Sequence, residues 1–191
     1  MKREDAKGGG KDGRAPAAQS GTEVLADGIL LIFKFVEVHL VGAERRFYKE
    51  LKPGEYVPLE TLKPVWESLT QRIPREMKAA IKGMTFRTKG ILAETGVQRP
   101  ADALRVSNEF YQAFNRGPRI GGIEVVSASA DEAVVDNSTW VGCTGGAWFF
   151  EAIVRAFGAR GVHIEHLKPC QRLGDRYCRY RGRWAGMKHP R

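Results

Sequence analysis

The stretch that decides the fold is CTGGAWFFEAIVRAFGARGVHIEHLKPCQRLGDRYCRYRGRW, residues 143–184 of a 191-residue chain. It begins with a helix predicted over 143–157, whose small first-turn residues allow another backbone to approach closely. Gly158 and Gly161 end that helix. Alternating patterns then predict strands over 162–167 and 176–184, with a glycine-containing turn between them. The stretch therefore predicts a helix followed by an antiparallel hairpin.

All three cysteines of the chain lie in this stretch. They are Cys143, Cys170 and Cys178, and His166 precedes Cys170 by four positions. Three thiolates and one imidazole complete a tetrahedral shell for zinc, with no open position for substrate or water. The donor set therefore favours a structural zinc. The plainer alternative is three buried thiols, because free cysteine is among the most buried residue types.

The fourth ligand of such a site is open on these residues. His163 also offers an imidazole, but strand alternation places it on the face opposite His166. An acidic residue is a further alternative. Cys143 starts a helix, where a thiolate is stabilised, so a cysteine-dependent enzyme is a minor alternative to the metal site.

Outward from this stretch, the chain changes from helical to strand-like patterns at Gly117-Pro118. Residues 29–35 are β-like in type. Helical spacing of apolar residues covers 36–51, 59–73, 75–95 and 100–115, and strand-like runs cover 120–126 and 133–138. The order predicts an α+β fold: a helical first half, then β-β-α-β-β, with an antiparallel-rich sheet packed on the helices.

The C-terminal segment resembles the 4-vinyl-reductase domain family. That family has a small-residue helix, a glycine, a strand, and then Cys, Gly-Asp and Cys followed by an aromatic. The matching features here are Gly145, Gly146, Gly158, the strand 162–167, Cys170, Gly174-Asp175, Cys178 and Tyr180. The resemblance covers about 70 residues from Ile120 onward, and the helical half only in outline.

The resemblance implies the fold of TRAPP vesicle-tethering subunits and a relation to the effector-sensing domains of phenol-responsive sigma-54 activators. In the aromatic-sensing members, three cysteines and a glutamate hold zinc. Those cysteines correspond to Cys143, Cys170 and Cys178, and the glutamate position falls on or beside His166. The resemblance therefore implies a structural zinc with imidazole as the fourth ligand, a buried small-molecule pocket and a homodimer.

Aromatic residues supply the candidate ligand contacts. They are Phe110, Tyr111, Phe114, Trp140 and Trp148. Trp140 is favoured because it lies near a ligand-contacting tryptophan of the phenol sensors. The alternative is that these aromatics simply fill the core, since a pocket and a packed interior use the same residue types.

The last predicted strand carries a basic face. Arg179, Arg181 and Arg183 alternate with Tyr180, Gly182 and Trp184. With a formal net charge of +9, this face permits docking to nucleic acid or an acidic protein, which is the alternative function. More often such a face is a sheet edge protected by charge, so nucleic acid is not favoured.

Composition and the absence of known motifs limit the domain organisation, the location and the classes of function that the sequence allows. Residues 1–22 are predicted to be a disordered, basic and glycine-rich tail, 23–186 one domain, and 187–191 a short tail. No apolar run approaches the roughly 20 residues of a membrane helix, and the N-terminus lacks a secretory signal, so a cytoplasmic location is expected. There is no G-x-S-x-G, P-loop or H-E-x-x-H motif. The sequence thus predicts a non-catalytic sensor or adaptor in signalling that binds a small hydrophobic ligand, a protein partner or both.

Overall fold

A computed structural model describes residues 21–118 and 120–187. The helices are α1 (Ala26–Val36), α2 (Gly42–Glu50), α3 (Leu59–Arg72), α4 (Pro74–Glu94), α5 (Pro100–Phe114) and α6 (Gly142–Ala156). The strands are β1 (Glu23–Leu25), β2 (Tyr56–Pro58), β3 (Asn115–Arg116), β4 (Ile123–Ala128), β5 (Glu132–Asn137), β6 (Ala159–Leu167) and β7 (Cys178–Met187). Short 3₁₀ turns follow α1 and precede β7.

The strands form two antiparallel sheets. The larger sheet has the order β4-β5-β7-β6, so the last strand of the chain lies in its interior. In its register Asn137 of β5 lies opposite Cys178, and His166 of β6 lies opposite Tyr180. The smaller sheet, β2-β1-β3, joins three short strands that the helical pattern of the first half concealed.

Helix α1 occupies the stretch whose residue types are β-like. Ile29, Ile32, Phe33 and Val36 are all buried, at the i, i+3, i+4 and i+7 spacing of one helical face. That face packs on α4, which in turn packs on α6. The β-like interpretation of 29–35 is therefore wrong, because burial of a 3.6-period stripe outweighs the β propensity of its residue types.

Prolines set two of the helix boundaries. Pro74 and Pro100 each occupy the first position of a helix, where the missing N–H would have no intrahelical partner. Ile73, between α3 and α4, is non-helical with φ −131° and ψ 59°. The chain therefore turns between two long helices, and α4 packs against both α3 and α1.

The interior divides into a helical part and a sheet part. Phe33, Leu62 and Trp66 belong to the helical core, whereas Tyr180 and the three cysteines belong to the core against the larger sheet. Ala152 of α6 belongs to the first and Phe150 to the second, so α6 separates the two.

The α+β class is confirmed, as is the β-β-α-β-β order after the helices. Predictions for residues 1–20 and 188–191 lie outside the described residues, so the domain limits stay predictions. Within 21–118 and 120–187, none of the helices combines the length and apolar character that a membrane crossing requires.

Candidate functional site

The structure brings the four predicted metal ligands together. Cys143 is the second residue of α6, His166 lies near the end of β6, Cys170 follows that strand, and Cys178 is the first residue of β7. Their ligand atoms all lie within 4.8 Å of one another. The three thiols are buried and the histidine is exposed. We call these four residues the thiol cluster.

The sulfur atoms of the thiol cluster lie in contact. Cys143 Sγ is 3.1 Å from Cys178 Sγ and 3.6 Å from Cys170 Sγ. The turn that holds them is fixed locally: Cys170 N–H donates to Asp175 Oδ2 at 2.7 Å. Gly174 has φ +92°, a conformation that a glycine adopts at little cost. Gly174 and Asp175 therefore fix the turn between Cys170 and Cys178.

The thiols differ in acidity because their surroundings differ. Burial and the adjacent Cys178 thiol together raise the pKa of Cys143 to about 12, with burial the larger cause. Burial also acts to raise the pKa of Cys170, but the backbone N–H of Arg172 and the neighbouring thiols lower it overall. Burial and the Arg172 charge lower the pKa of His166. A high pKa at Cys143 opposes its use as an activated nucleophile, since the thiolate is the reactive form.

A second feature lies between the helices and the larger sheet. It is an apolar cavity of about 170 Å³, whose wall is built from α1, α4, α5, α6 and strands of the larger sheet. Among the described residues of this wall there is no Lys, Arg, Asp, Glu, His or Cys. The volume is close to that of an engineered apolar cavity of about 150 Å³ that binds benzene or xenon.

Four of the five predicted ligand contacts lie in this wall: Phe110, Tyr111, Phe114 and Trp140. Trp140 is held in place because its Nε1–H donates to Asn115 Oδ1 at 2.9 Å. Trp148 does not contribute to the wall; it packs against the helical core. Successive helical residues point about 100° apart, so Trp148 and the wall residue Phe149 face different neighbours.

Most of the wall consists of residues that sequence reasoning missed. Ile32, Leu104 and Ile153 are examples, drawn from α1, α5 and α6. Each carries an ordinary core signal in its own helix. No spacing rule distinguishes a core residue that borders a void from one that fills it, because the void depends on how several elements pack.

The basic face of β7 is paired within the sheet. Arg179 lies against Asp136, Arg181 against Glu165, and Arg183 against Glu132. The first of these pairs is bidentate, with both N–O distances 2.7 Å, and the second is loose at 3.9 Å. The carboxylates come from the neighbouring strands β5 and β6. These ion pairs neutralise much of the positive charge that made this face a candidate for binding phosphate groups.

Solved structures similar to this chain are H-NOX domains. A single-residue mutant of the Fe(II) unliganded H-NOX protein from K. algicida has a TM-score of 0.56 at 8% identity, covering 85% of this chain and 97% of that chain. The S. oneidensis H-NOX protein in the Fe(II)NO ligation state has 0.51 at 11% identity, covering 84% and 91%. An H-NOX structure from work on heme distortion has 0.53 at 9% identity, covering 85% and 95%. At these identities the likeness shows the fold alone.

No protein-family model matches the sequence, and no curated protein matches it. The structural comparison corrects two predictions. The resemblance to 4-vinyl-reductase and TRAPP proteins is wrong as a family assignment, because the similar structures are H-NOX domains. Zinc as the cofactor is wrong by the same comparison, because those proteins are described with Fe(II) and heme. A short motif of cysteines and glycines supports a local geometry and does not specify a family.

The apolar cavity does not fit a heme. Heme iron is held by His, Cys, Met or Tyr, and the described histidines and cysteines all lie outside the wall. The hydroxyls of Tyr111 and Tyr180 already donate to backbone carbonyls, and Met84 supplies the one thioether of the described wall. The described residues of the wall include no Lys, Arg or His that could pair with propionate groups. The cavity volume of about 170 Å³ is below the roughly 300–1,000 Å³ of drug-sized pockets.

Proposed function

We propose that this chain is a non-catalytic sensing or adaptor domain that binds a small apolar molecule in the cavity. The observation that supports this most directly is the cavity itself, about 170 Å³ of space, whose described lining residues include no ionisable side chain other than tyrosine. Dispersion and the hydrophobic effect favour filling such a space with an apolar ligand. The H-NOX neighbours support a sensing role on the same fold.

Filling the cavity with a side chain tests this proposal. Gly28 lies in the wall on α1, and a Cβ there would meet only Phe114 Cδ1, at 3.9 Å. Leucine at position 28 therefore has room to extend into the space. Gly90 is the matched control, because it is an exposed helical glycine with open space around it and no place in the wall.

The measurement is binding of benzene and toluene by calorimetry, with thermal unfolding in parallel. At a ligand concentration ten times Kd the stabilisation is about 1.4 kcal/mol, which raises Tm by roughly 3–6 °C for a chain of this size. We expect Gly28→Leu to abolish the shift and Gly90→Leu to retain it. Equal shifts in both variants, or none in the wild type, would contradict the cavity as the binding site.

We also propose that the thiol cluster binds a soft transition-metal ion. Four donor atoms within 4.8 Å, three of them sulfur, suit an ion that prefers thiolate ligands. Metal binding would displace thiol protons, so affinity should rise with pH. Ligation from α6, β6 and β7 would tie the helix to the hairpin.

A cobalt(II) titration of the reduced protein tests the metal site through thiolate-to-metal absorption, and elemental analysis identifies the native ion. His166→Ala should weaken cobalt binding by at least about tenfold. His163→Ala is the matched control, since His163 lies on the same strand but outside the cluster. Equal effects of the two variants would show that the histidine is not a ligand.

Domain limits, a homodimer and a protein partner stay predictions from the sequence. A sensing domain passes on its state through contacts with another domain or another chain, so the proposed function calls for such a contact. Sedimentation of the protein with and without toluene measures whether self-association depends on the ligand.

A further inference from the structure

Helix α4 has two faces with different surroundings. Met84 and Thr88 contribute to the wall of the apolar cavity. Phe86 lies two positions from each of them, about 200° around the helix, and is exposed. The side of α4 that faces away from the cavity therefore carries a large apolar side chain in contact with solvent.

A second exposed ring lies beside Phe86. Phe35 of α1 is 47% exposed and Phe86 is 46% exposed. A Cβ on Gly83 would lie 2.7 Å from Phe35 Cζ, so the Phe35 ring rests on α4 at Gly83. Gly83 and Phe86 are three positions apart, and residues at that spacing are neighbours on a helix surface. The two rings therefore form one exposed aromatic patch.

Cations surround this patch. Between residues 77 and 93, α4 has no carboxylate and four cations, which are Lys78, Lys82, Arg87 and Lys89. Lys78 pairs with Glu151 at 2.7 Å, whereas the other three form no ion pair within 21–118 and 120–187. Lys82 Nζ lies 5.9 Å from the centroid of the Phe86 ring, and Arg87 Cζ lies 5.4 Å from that of Phe35. We call Phe35, Lys82, Phe86, Arg87 and Lys89 the outer face.

The composition of the outer face is that of protein segments that lie on membranes. In such segments apolar rings enter the boundary between head groups and acyl chains, and cations attract anionic head groups. We infer that the outer face docks on an anionic lipid surface. Lysine and arginine can extend from the rings to the head groups, because their stems cover apolar surface while the charge stays in water. A fluid lipid surface needs no complementary groove, whereas a folded protein partner does.

Docking in this way would place α4 between the lipid and the apolar cavity. Apolar molecules partition from water into hydrocarbon, so they are concentrated in the lipid phase. The lipid surface would then be the source of the molecule that fills the cavity. This last step rests on the proposed function, but the docking itself does not.

Cosedimentation of the full chain with lipid vesicles tests the inference. Vesicles of phosphatidylcholine containing roughly 30% phosphatidylserine are compared with vesicles of phosphatidylcholine alone. We expect the anionic vesicles to bind the protein more tightly, and binding to weaken as salt screens the surface charge. Phe86→Ser should weaken binding at least about threefold, because half of a phenylalanine ring loses its burial. Arg87→Gln should weaken it about fivefold, the contribution of one basic residue near such a surface.

Two exposed residues of the larger sheet provide matched controls. Val126→Ser removes an apolar side chain that is 49% exposed on β4. Arg160→Gln removes an exposed cation of β6. Both variants should keep the wild-type vesicle affinity within about twofold, since lipid attraction decreases within a Debye length of the surface. Thermal unfolding in the absence of vesicles verifies that all four variants are folded.

The outcomes separate this inference from its alternatives. Absence of binding to the anionic vesicles would overturn it, as would equal losses in the outer-face variants and in the controls. Binding to polyglutamate but not to the vesicles, again weakened by Phe86→Ser, would assign the outer face to an acidic protein instead. Toluene binding without vesicles tests the cavity separately. A protein that docks as expected but binds no toluene supports the docking and contradicts the proposed function.

Discussion

The thiol cluster and the apolar cavity are built in opposite ways. The cluster takes four side chains from residues 143–178, and each of them is a donor that is rare elsewhere in the chain. The wall of the cavity takes residues from Val24 to Tyr180, most of them of common apolar types. A site made of distinctive donors is visible as a pattern, whereas a site made of empty space is visible only once its neighbours are packed.

The two regions meet at Tyr180. This residue contributes to the cavity wall, and its hydroxyl donates to the Cys143 carbonyl at 2.6 Å. Its ring stacks on His166 with centroids 4.9 Å apart. Burial raises the pKa of the phenol well above its usual value, so the hydroxyl stays protonated as a donor. Changes at this contact show how far the regions depend on each other.

Tyr180→Ala should have the largest effect. The side chain is 1% exposed, and truncating a buried aromatic residue typically costs about 3–5 kcal/mol. Urea denaturation followed by circular dichroism measures the loss. We expect both toluene binding and cobalt binding to weaken, because one residue supports both regions. Loss of only one of the two would show that the regions are independent.

Gly146→Ala should come next. A Cβ at this position would lie 2.0 Å from Asn137 Nδ2 and 3.0 Å from the Tyr180 hydroxyl. Because Asn137 and α6 must separate, we expect a destabilisation of about 1–3 kcal/mol, as for overpacking in general. Chemical denaturation gives the value, and an unchanged midpoint would show that Asn137 rotates away freely.

Tyr180→Phe separates the hydroxyl from the ring. It removes the bond to the Cys143 carbonyl, which contributes about 1 kcal/mol, and keeps the packing against the cavity. We expect toluene affinity to stay within about twofold and the unfolding midpoint to fall. If Tyr180→Phe lost as much stability as Tyr180→Ala, the hydroxyl and not the ring would account for most of the destabilisation.

Gly28→Ala should have the smallest effect, and its sign should be opposite. Its Cβ would meet only one atom, at 3.9 Å, and alanine is a better helix former than glycine. We expect a stabilisation of about 0.5–1 kcal/mol. The same substitution in α1 and α6 thus has opposite signs, because Gly28 faces open space whereas Gly146 lies directly against Asn137. A destabilised Gly28→Ala protein would contradict the open space beside α1.

Periodicity and donor spacing accounted for much of the fold and for the thiol cluster. The order of helices and strands after Gly117 followed from turn residues and alternation, which are local properties. The β-like interpretation of residues 29–35 was wrong because packing against α4 buries one helical face of this segment, and a local pattern does not show that contact. The small sheet was missed because strands of two or three residues are too short for alternation to be detectable.

By itself the sequence determined the α+β class, the three cysteines of the thiol cluster with His166 favoured as the fourth member, and half of the aromatic residues in the described wall of the cavity. Only the tertiary structure decided that a cavity exists, that Trp148 lies outside its wall, and that the arginines of β7 are paired across strands. It alone showed that Thr139 Oγ1 has no hydrogen-bond partner among the described residues. The reason is the same in each case: hydrogen-bond partners, ion pairs and unfilled volume are relations between distant segments, and they depend on how those segments pack.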